Sequence, residues 1–244
     1  MADGTTLILG GSGSIGSALA RHLVDAGRDV TLAATGEERL REVGEALGCR
    51  HRVCDAKDAE AVKTLVDELA REPGLSGAVC CVGSILLKPA HTTSPDEFQR
   101  TMRLNVETAF NTVRAAAGAM TRTGGSIVLL ASAAARVGLS NHEAIAAAKA
   151  AVIGLGRSAA STYAPRGIRV NVVAPGLVES NMSAQLLAND ASRKASEAMH
   201  PLGRVGQPDE VARAIAFLLD REQGWITGQV LGVDGGLGDV RPRG

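Results

Sequence analysis

The stretch LILGGSGSIGSAL, residues 7–19, decides the fold, because a short apolar run passes through a glycine-rich turn into an amphipathic segment. Its glycines have the spacing G-x-G-x-x-G. At a turn between a strand and a helix, such glycines let the backbone approach a pyrophosphate, which amide groups and the helix dipole then hold. We therefore predict a phosphate-binding loop, and the alternative is a tight turn that serves packing only. The loop residues are Gly10, Gly11, Ser12, Gly13, Ser14, Ile15 and Gly16.

Strand-like and helix-like segments alternate along the whole chain of 244 residues. Apolar runs predict strands over 5–9, 29–34, 50–54, 77–82, 125–131, 168–174 and 229–233. Helical periodicity predicts helices over 14–26, 37–47, 58–71, 95–121, 143–164 and 209–219. Repeated strand-then-helix units make right-handed crossovers and a parallel sheet that is covered on both faces. We expect a single Rossmann-type, doubly wound α/β domain over 1–244, with about seven parallel strands.

Two segments depart from this alternation. Residues 176–206 are rich in Ser, Ala and Asn and lack a clear period. We predict that their central part, 182–202, is a mobile lid over the site, and the alternative is an irregular surface insertion. Residues 237–244 form a short polar C-terminal tail.

The composition excludes several classes of partner. Lys and Arg total 26, as do Asp and Glu, and aromatic residues are 2% of the chain. A neutral, aromatic-poor surface does not predict binding to nucleic acid or to an anionic membrane. The N-terminus lacks the positive charge and apolar run of a secretory signal, and no stretch is long and apolar enough to span a membrane. We expect a cytoplasmic protein with a small-molecule ligand.

The cysteines do not predict a metal site. Cys49, Cys54, Cys80 and Cys81 lack the paired C-x-x-C spacing with His that zinc sites show. We expect reduced, buried thiols, as in a reducing compartment. Cys80 and Cys81 are adjacent, so simple packing is favoured over a redox pair, because adjacent cysteines form a disulfide only with strain.

The end of the second strand bears on the choice of dinucleotide. A Rossmann site usually places an acid there for a free ribose 2′-hydroxyl, or a basic residue for a 2′-phosphate. Residues 33–36 are Ala-Ala-Thr-Gly, which supply neither. The absence of a repelling carboxylate slightly favours NADP(H) over NAD(H), with Thr35 at the ribose.

Three blocks in the second half make the chain resemble the short-chain dehydrogenase/reductase family, and above all its 3-oxoacyl-carrier-protein-reductase-like members. They are RGIRVNVVAPGLVESNM at 166–182, PLGRVGQPDEVARAIAFLL at 201–219 and ITGQVLGVDGG at 226–236. The likeness covers essentially the whole chain. It implies an NAD(P)(H)-dependent oxidoreductase that acts on a carbonyl or a secondary alcohol.

The resemblance assigns further residues to the cofactor. Gly10 and Gly16 match the first and last glycines of the family loop, whereas Ser14 replaces the middle one. Asp55 matches the acid directed at the adenine amino group, and Gly83 matches a glycine that closely approaches the cofactor, although Cys80-Cys81 replace the usual asparagines. The backbone of Pro175-Gly176 is expected to face the nicotinamide. Ser180 stands where a threonine often contacts the carboxamide.

The resemblance also implies a catalytic set of Asn, Ser, Tyr and Lys. Asn105 matches the asparagine that organises a helix kink and a proton-relay water, Ser132 matches the serine, and Lys149 matches the lysine that holds the nicotinamide ribose. The tyrosine position is Ile145, which has neither a proton nor a lone pair. General acid catalysis of this kind contributes roughly 10²- to 10⁴-fold in rate.

Two groups could replace the missing phenol, and a third is excluded by its distance. Tyr163 is the only tyrosine in the chain, and it lies some 27 Å further along the same predicted helix at about 1.5 Å per residue. It is therefore too distant. His142 could share the face of Ile145, and imidazole is a common general acid or base, or it could be a loop or helix-cap residue. A water held by Ser132 and Lys149 is the remaining source.

These residues leave three hypotheses for function. The first is an oxidoreductase with an atypical active site. The second is a non-catalytic NAD(P)-binding protein, such as a sensor or the inactive subunit of a mixed oligomer, and the third is a lyase or isomerase that uses the same pocket without redox chemistry. The family resemblance further implies a homodimer or homotetramer, formed by the helices over 105–121 and 144–164.

Overall fold

The computed structural model describes residues 4–240 and contains one sheet of seven parallel strands. The strands are β1 Thr5–Leu9, β2 Val30–Ala34, β3 Arg50–Val53, β4 Leu75–Cys80, β5 Gly125–Leu130, β6 Ile168–Pro175 and β7 Val230–Val233. Their order across the sheet is β3-β2-β1-β4-β5-β6-β7. The predicted single Rossmann-type domain is confirmed.

The α-helices connect these strands on both faces of the sheet. They are α1 Ser14–Asp25, α2 Glu37–Leu47, α3 Ala59–Arg71, α4 Pro95–Met102, α5 Thr108–Ala119, α6 Glu143–Tyr163, α7 Ala184–Leu187, α8 Asp190–Met199 and α9 Pro208–Leu219. Within residues 4–240, no helix has both the length and the apolar character needed to cross a membrane.

The alternation of side chains along each strand builds two separate cores. In β1, Leu7 and Leu9 pack into one core with α3, α5 and α6, whereas Ile8 packs into the other with α1, α2 and α9. All three side chains are at most 1% exposed. A strand buried on both faces is apolar at every position, which explains why the sequence shows continuous apolar runs.

The predicted helix over 95–121 is interrupted. Its middle, Arg103–Glu107, is a π-helical turn that separates α4 from α5. Asn105 is 1% exposed there, and its side-chain Nδ2 donates a hydrogen bond of 2.9 Å to the carbonyl of Thr101. A side chain that donates a hydrogen bond to the carbonyl four residues back competes with the backbone hydrogen bonds of the helix and favours a wider turn. The predicted single helix is therefore wrong at Asn105.

Other boundaries also differ from prediction. The fourth strand is Leu75–Cys80 and not 77–82, so Cys81 and Val82 follow it as loop residues. The segment expected to be irregular contains α7 and α8, and the side chain of Asn189 caps α8 by accepting from the amides of Ala191 and Ser192. Short helices with few apolar residues escape a search for periodicity.

The C-terminal tail is partly described. Residues 241–244 lie outside the described residues. Before them, Asp239 forms an ion pair with Arg136, and the amide of Val240 donates to the carbonyl of Gly236. The beginning of the predicted tail is thus packed against the domain.

Candidate active site

A cavity of about 270 Å³ lies at the carboxyl ends of the central strands. The chain reverses its direction of winding between β1 and β4, and in doubly wound sheets ligands bind in the crevice at that point. The walls come from the glycine loop, the ends of β4, β5 and β6, helix α6 and the segment after β6. Predicted site residues in the lining are Gly13, Ser14, Ile15, Gly16, Gly83, Ser132, Ile145, Lys149, Pro175, Gly176 and Ser180.

The glycine loop is shaped to bring backbone amides to this cavity. Gly10 has a φ of +79°, in the left-handed region that favours glycine. A Cβ on Gly16 would collide with the carbonyl oxygen of Gly10, so the first turn of α1 packs directly on the loop. Gly13 is the extended residue before α1, and no acid occurs in the first turn of that helix. The exposed amides and the helix dipole therefore offer an anion site.

Lys149 is a buried cation in the cavity wall. The residue is 7% exposed, and its Nζ donates a hydrogen bond of 2.9 Å to the carbonyl of Leu130 at the end of β5. Burial lowers the pKa of Lys149 to about 8. Desolvation disfavours the charged form, so part of the Lys149 population is neutral near physiological pH.

Ile145 lies one helical turn before Lys149 on α6 and faces the same cavity. The residue is 4% exposed. Its side chain makes this part of the wall apolar and contributes no hydrogen-bonding group.

Asn105 braces the loop that follows β4. Its Oδ1 accepts from the amide of Ser84 at 3.2 Å, and its Nδ2 donates to Ser84 Oγ at 3.0 Å. A Cβ on Gly83 would lie 2.9 Å from Asn105 Oδ1 and 3.3 Å from Lys149 Nζ, so only glycine fits between them. The π-helical turn thus fixes the backbone at Gly83 against Lys149.

Ser132 begins the segment after β5 and lines the cavity. It has an extended backbone, and its Oγ accepts from the amide of Ala134 at 3.2 Å. The hydroxyl proton remains available to a ligand oxygen.

The adjacent cysteines have different surroundings. Cys80 is 2% exposed and packs in the core, whereas Cys81 lines the cavity. Burial raises the pKa of Cys81 well above its ordinary value, so this side chain stays a thiol. All four cysteines of the chain are free.

Five predicted cofactor residues lie outside the cavity lining, namely Gly10, Gly11 and Ser12 of the glycine loop, and Thr35 and Asp55 after the neighbouring strands β2 and β3. Thr35 is exposed directly after β2. Asp55 follows β3, where its carboxylate forms an ion pair of 3.2 Å with Lys57. Asn111 of α5 donates to the carbonyls of Ala56 and Lys57 and so holds the loop that bears Asp55.

Arg39 is a basic residue that the sequence analysis missed. It belongs to the first turn of α2 and lines the cavity. With the side-chain amide of Asn181 turned so that its oxygen faces Arg39, that oxygen accepts from Nη1 at 2.5 Å and from Nη2 at 2.8 Å. The backbone amide of Asn181 donates a hydrogen bond of 3.4 Å to Ser14 Oγ. Residues 33–36 contain no basic residue, as predicted, but the helix that follows them supplies Arg39 to the cavity wall.

His142 has the position of a helix cap. It is the residue before α6, and its Nδ1 lies 2.7 Å from the carbonyl of Ser140. Within the described part of the chain, it does not belong to the cavity lining. This geometry favours the helix-cap interpretation.

The segment after β6 is tied to the helices predicted as a lid. His200, at the end of α8, is 3% exposed. Its Nε2 accepts from the amide of Leu177 at 3.1 Å, and its Nδ1 lies 2.7 Å from the carbonyl of Ser196. Ser180 Oγ is 3.0 Å from Ser183 Oγ. These bonds connect α8 to the backbone just after Pro175-Gly176.

The order of the sheet, with a glycine loop at its switch point and a lysine-bearing helix beside it, defines a Rossmann-type protein with a ligand crevice at that point. Comparisons with known proteins make this class specific. A family model described as enoyl-(acyl carrier protein) reductase matches residues 10–238. The chain belongs to the short-chain dehydrogenase/reductase family.

Individual relatives agree with this assignment. The chain is 34% identical over 236 residues to a 3-oxoacyl-acyl-carrier-protein reductase of Rickettsia bellii, with 96% of each chain covered. It is 37% identical over 232 residues to "Inactive 2-(S)-hydroxypropyl-CoM dehydrogenase 2" of Xanthobacter autotrophicus, covering 90% of this chain and 99% of that one. A solved structure of a variant actinorhodin polyketide ketoreductase with NADPH is 27% identical, with a TM-score of 0.92 and 98% of each chain covered.

Proposed function

We propose that this protein is an NAD(P)(H)-dependent oxidoreductase that interconverts a carbonyl and a secondary alcohol at an atypical site, where Ile145 occupies the position of the family's tyrosine. The observation that carries the proposal is the convergence of the glycine loop, Ser132 and Lys149 on one cavity. An anion-binding helix N-terminus and a buried cation in the same crevice suit a dinucleotide with a reacting group beside it.

The residues present fit a nicotinamide dinucleotide. The loop over 10–16 would hold the pyrophosphate. Gly16 and Gly10 pack so closely that no side chain fits between them, and the backbone amides of the loop are therefore exposed to the ligand. Lys149 would hold the nicotinamide ribose. Gly83 has no side chain and would therefore leave space for the ligand beside Lys149. When bound, the cofactor supplies or accepts a hydride. Thr35 and Asp55 would contact the adenosine half, and Pro175, Gly176 and Ser180 the nicotinamide half.

The NADP(H) form is the proposed cofactor, and Arg39 supports this preference. A guanidinium in the wall of the cavity matches a 2′-phosphate, with which it can form a bidentate, charge-assisted pair. No carboxylate occurs among residues 33–36 to repel that phosphate. Asn181 would then exchange its contact with Arg39 for a contact to the ligand, or would share the guanidinium with it.

The substrate oxygen would be polarised by the remaining polar groups of the wall. Ser132 Oγ can donate a hydrogen bond to it, and the ammonium of Lys149 adds positive charge at short range. Asn105 acts through the backbone at Gly83 and Ser84, which it holds in position. Ile145 and Met182 add apolar surface to the wall.

A direct test is the reduction of an acetoacetyl thioester, chosen because one relative is a 3-oxoacyl reductase. Loss of NADPH absorbance in step with formation of the 3-hydroxy thioester would support the proposal. Product formation with constant nicotinamide absorbance would replace it with a non-redox reaction.

A second candidate is a non-catalytic NAD(P)-binding protein. Ile145 in the cavity wall favours it, as does the similarity to a relative whose name describes it as inactive. In that case NADPH binds, but no carbonyl in a broad panel is reduced. Activity only in a mixture with a tyrosine-bearing partner chain would identify an inactive subunit.

We also propose a homo-oligomer, a dimer or a tetramer, that uses the faces of α5 and α6. Phe110 of α5 is 54% exposed, and both helices are rich in alanine, which allows close approach between copies. Light scattering after gel filtration measures the mass, and Phe110→Lys should lower it. An unchanged monomer mass in both proteins would overturn this proposal.

A further inference from the structure

The lining of the cavity contains few groups that can transfer a proton. Within the described residues, its titratable side chains are Arg39, Cys81 and Lys149. An arginine does not release its proton in proteins. The raised pKa of Cys81 keeps its thiol protonated. Lys149 is the one group of the three that exchanges a proton in the neutral range.

The position of Lys149 suits this exchange. One hydrogen of Nζ is bonded to the carbonyl of Leu130, which leaves the other two free for the cavity. The groups near Nζ are Cys80 and Cys81 at the end of β4 and the backbone at Gly83, and Ile145 lies one turn away on α6 in the same cavity wall. Within residues 4–240, no carboxylate forms an ion pair with Lys149.

A proton donor with this environment differs from an ordinary surface lysine. Because no carboxylate pairs with the ammonium, the neutral amine is also stable inside the cavity. A pKa near 8 lies close to working pH, where a general acid or base is most effective. The apolar Ile145 preserves this state, since it adds no charge and no hydrogen-bond acceptor beside Nζ.

We propose that Lys149 is itself the general acid and base of the reaction, in the role that a phenol would otherwise fill. This inference rests on the proposed function. When bound, the reduced cofactor would supply the hydride for the new C–H bond, and the carbonyl oxygen would take a proton from the Lys149 ammonium as its π bond breaks. The products are the alcohol, the oxidised cofactor and a neutral amine, which regains its proton from solvent. Oxidation follows the reverse path, with the neutral amine accepting the hydroxyl proton.

The pH profile gives the first test. Reduction of the acetoacetyl thioester should be constant below about pH 8 and fall above it in step with the ammonium fraction. Oxidation of the 3-hydroxy thioester should rise with pH and level off above the same value. Profiles without an inflection near this pH in either direction would overturn the role of Lys149.

The second test is Lys149→Arg, which keeps a cation for the ribose but removes a releasable proton. We expect kcat to fall roughly 10²- to 10⁴-fold, while the Kd for NADPH changes by less than threefold. Adding a phenol in the double variant Ile145→Tyr/Lys149→Arg should restore much of kcat. Lys63→Arg is the matched control, because Lys63 lies on the surface in an ion pair with Asp67 and should leave kcat unchanged.

The outcomes separate this inference from the proposed function. If the wild-type protein reduces the thioester and Lys149→Arg does so equally well, the proton comes from elsewhere while the oxidoreductase proposal stands. If the wild-type protein binds no NADPH or transfers no hydride to any carbonyl tested, both are overturned. A lysine carbon NMR signal that disappears in Lys149→Arg and titrates near pH 8 would support the inference without any substrate. A titration near the model-peptide value of 10.5 would contradict it.

Discussion

Ile145 and Lys149 lie one turn apart on α6 and face the same cavity, the first as an apolar wall and the second as a buried cation. This pair separates two properties that the site requires. The cation is retained where a nicotinamide ribose would bind, whereas the neighbouring phenol is absent. A phenol placed at position 145 therefore tests proton transfer while the cation at Lys149 is left in place.

Placing a phenol at the apolar position should increase carbonyl reduction. Ile145→Tyr adds a proton donor one turn from Lys149, whose charge favours the phenolate. We expect kcat for the acetoacetyl thioester to rise by about tenfold or more, within the range of general acid catalysis, as measured by nicotinamide absorbance. Ile145→Phe is the control, since it adds the ring without the hydroxyl. A gain that is equal in both variants would show that ring packing, and not the proton, is responsible.

Arg39 should determine the preference for NADPH. Loss of a charge-assisted contact to a 2′-phosphate costs about 1.5–3 kcal/mol, or roughly tenfold or more in Kd. Arg39→Ala should therefore weaken NADPH binding by that factor and leave NADH binding nearly unchanged. Arg41→Ala on the same helix removes a surface ion pair with Glu45 and should affect neither. Equal weakening of both cofactors by Arg39→Ala would indicate a role in closing the cavity through Asn181.

Gly16 should be indispensable to the phosphate loop. Alanine at this position would meet the carbonyl oxygen of Gly10 and push α1 away from the loop. Gly16→Ala should lower the melting temperature and abolish detectable NADPH binding. Gly118→Ala is the control, because Gly118 lies exposed in α5 with open space around it. That change should raise the free energy of unfolding by about 0.5–1 kcal/mol.

The burial of Lys149 should also be visible in the pH dependence of stability. Its folded-state pKa of about 8 lies below the ordinary 10.5, so between these values the unfolded chain binds more protons. The free energy of unfolding from this group therefore rises with pH in that window, by at most about 1.4 kcal/mol for each pH unit. Lys149→Met should remove this rise. Denaturant titrations at pH 8, 9 and 10 give the free energy of unfolding of the two proteins. The same pH dependence in both would show that the lysine is not desolvated.

The features that followed from local pattern were predictable. The glycine spacing located the loop at Gly10 to Gly16, and apolar runs located most of the strands, whereas β3 at Arg50–Val53 is polar and largely exposed although a buried strand was expected there. Family motifs then placed Ser132 and Lys149, which the fold brings to one cavity. These signals are strong because the turn and the doubly buried strands each impose a residue type at every position.

The features that depend on tertiary contacts were not predictable. The resemblance implied a helix kink at Asn105, but the helical pattern of residues 95–121 did not show that the kink is a π-helical turn, nor that its side chain holds Ser84. Arg39 is an ordinary basic residue of an exposed helix until the segment after β6 brings Asn181 beside it. A weak preference for NADP(H) could be inferred from the absence of an acid near Thr35, but the residue that supports it could not.

Isothermal titration of the purified protein with NADPH, NADH, NADP⁺ and NAD⁺ tests the central claim most directly. The arrangement of the glycine loop, Arg39 and Lys149 predicts binding, with NADPH tighter than NADH and with Lys149→Met weakening both. Absence of heat and of any shift in melting temperature with all four dinucleotides would contradict the claim that this cavity is a nicotinamide cofactor site.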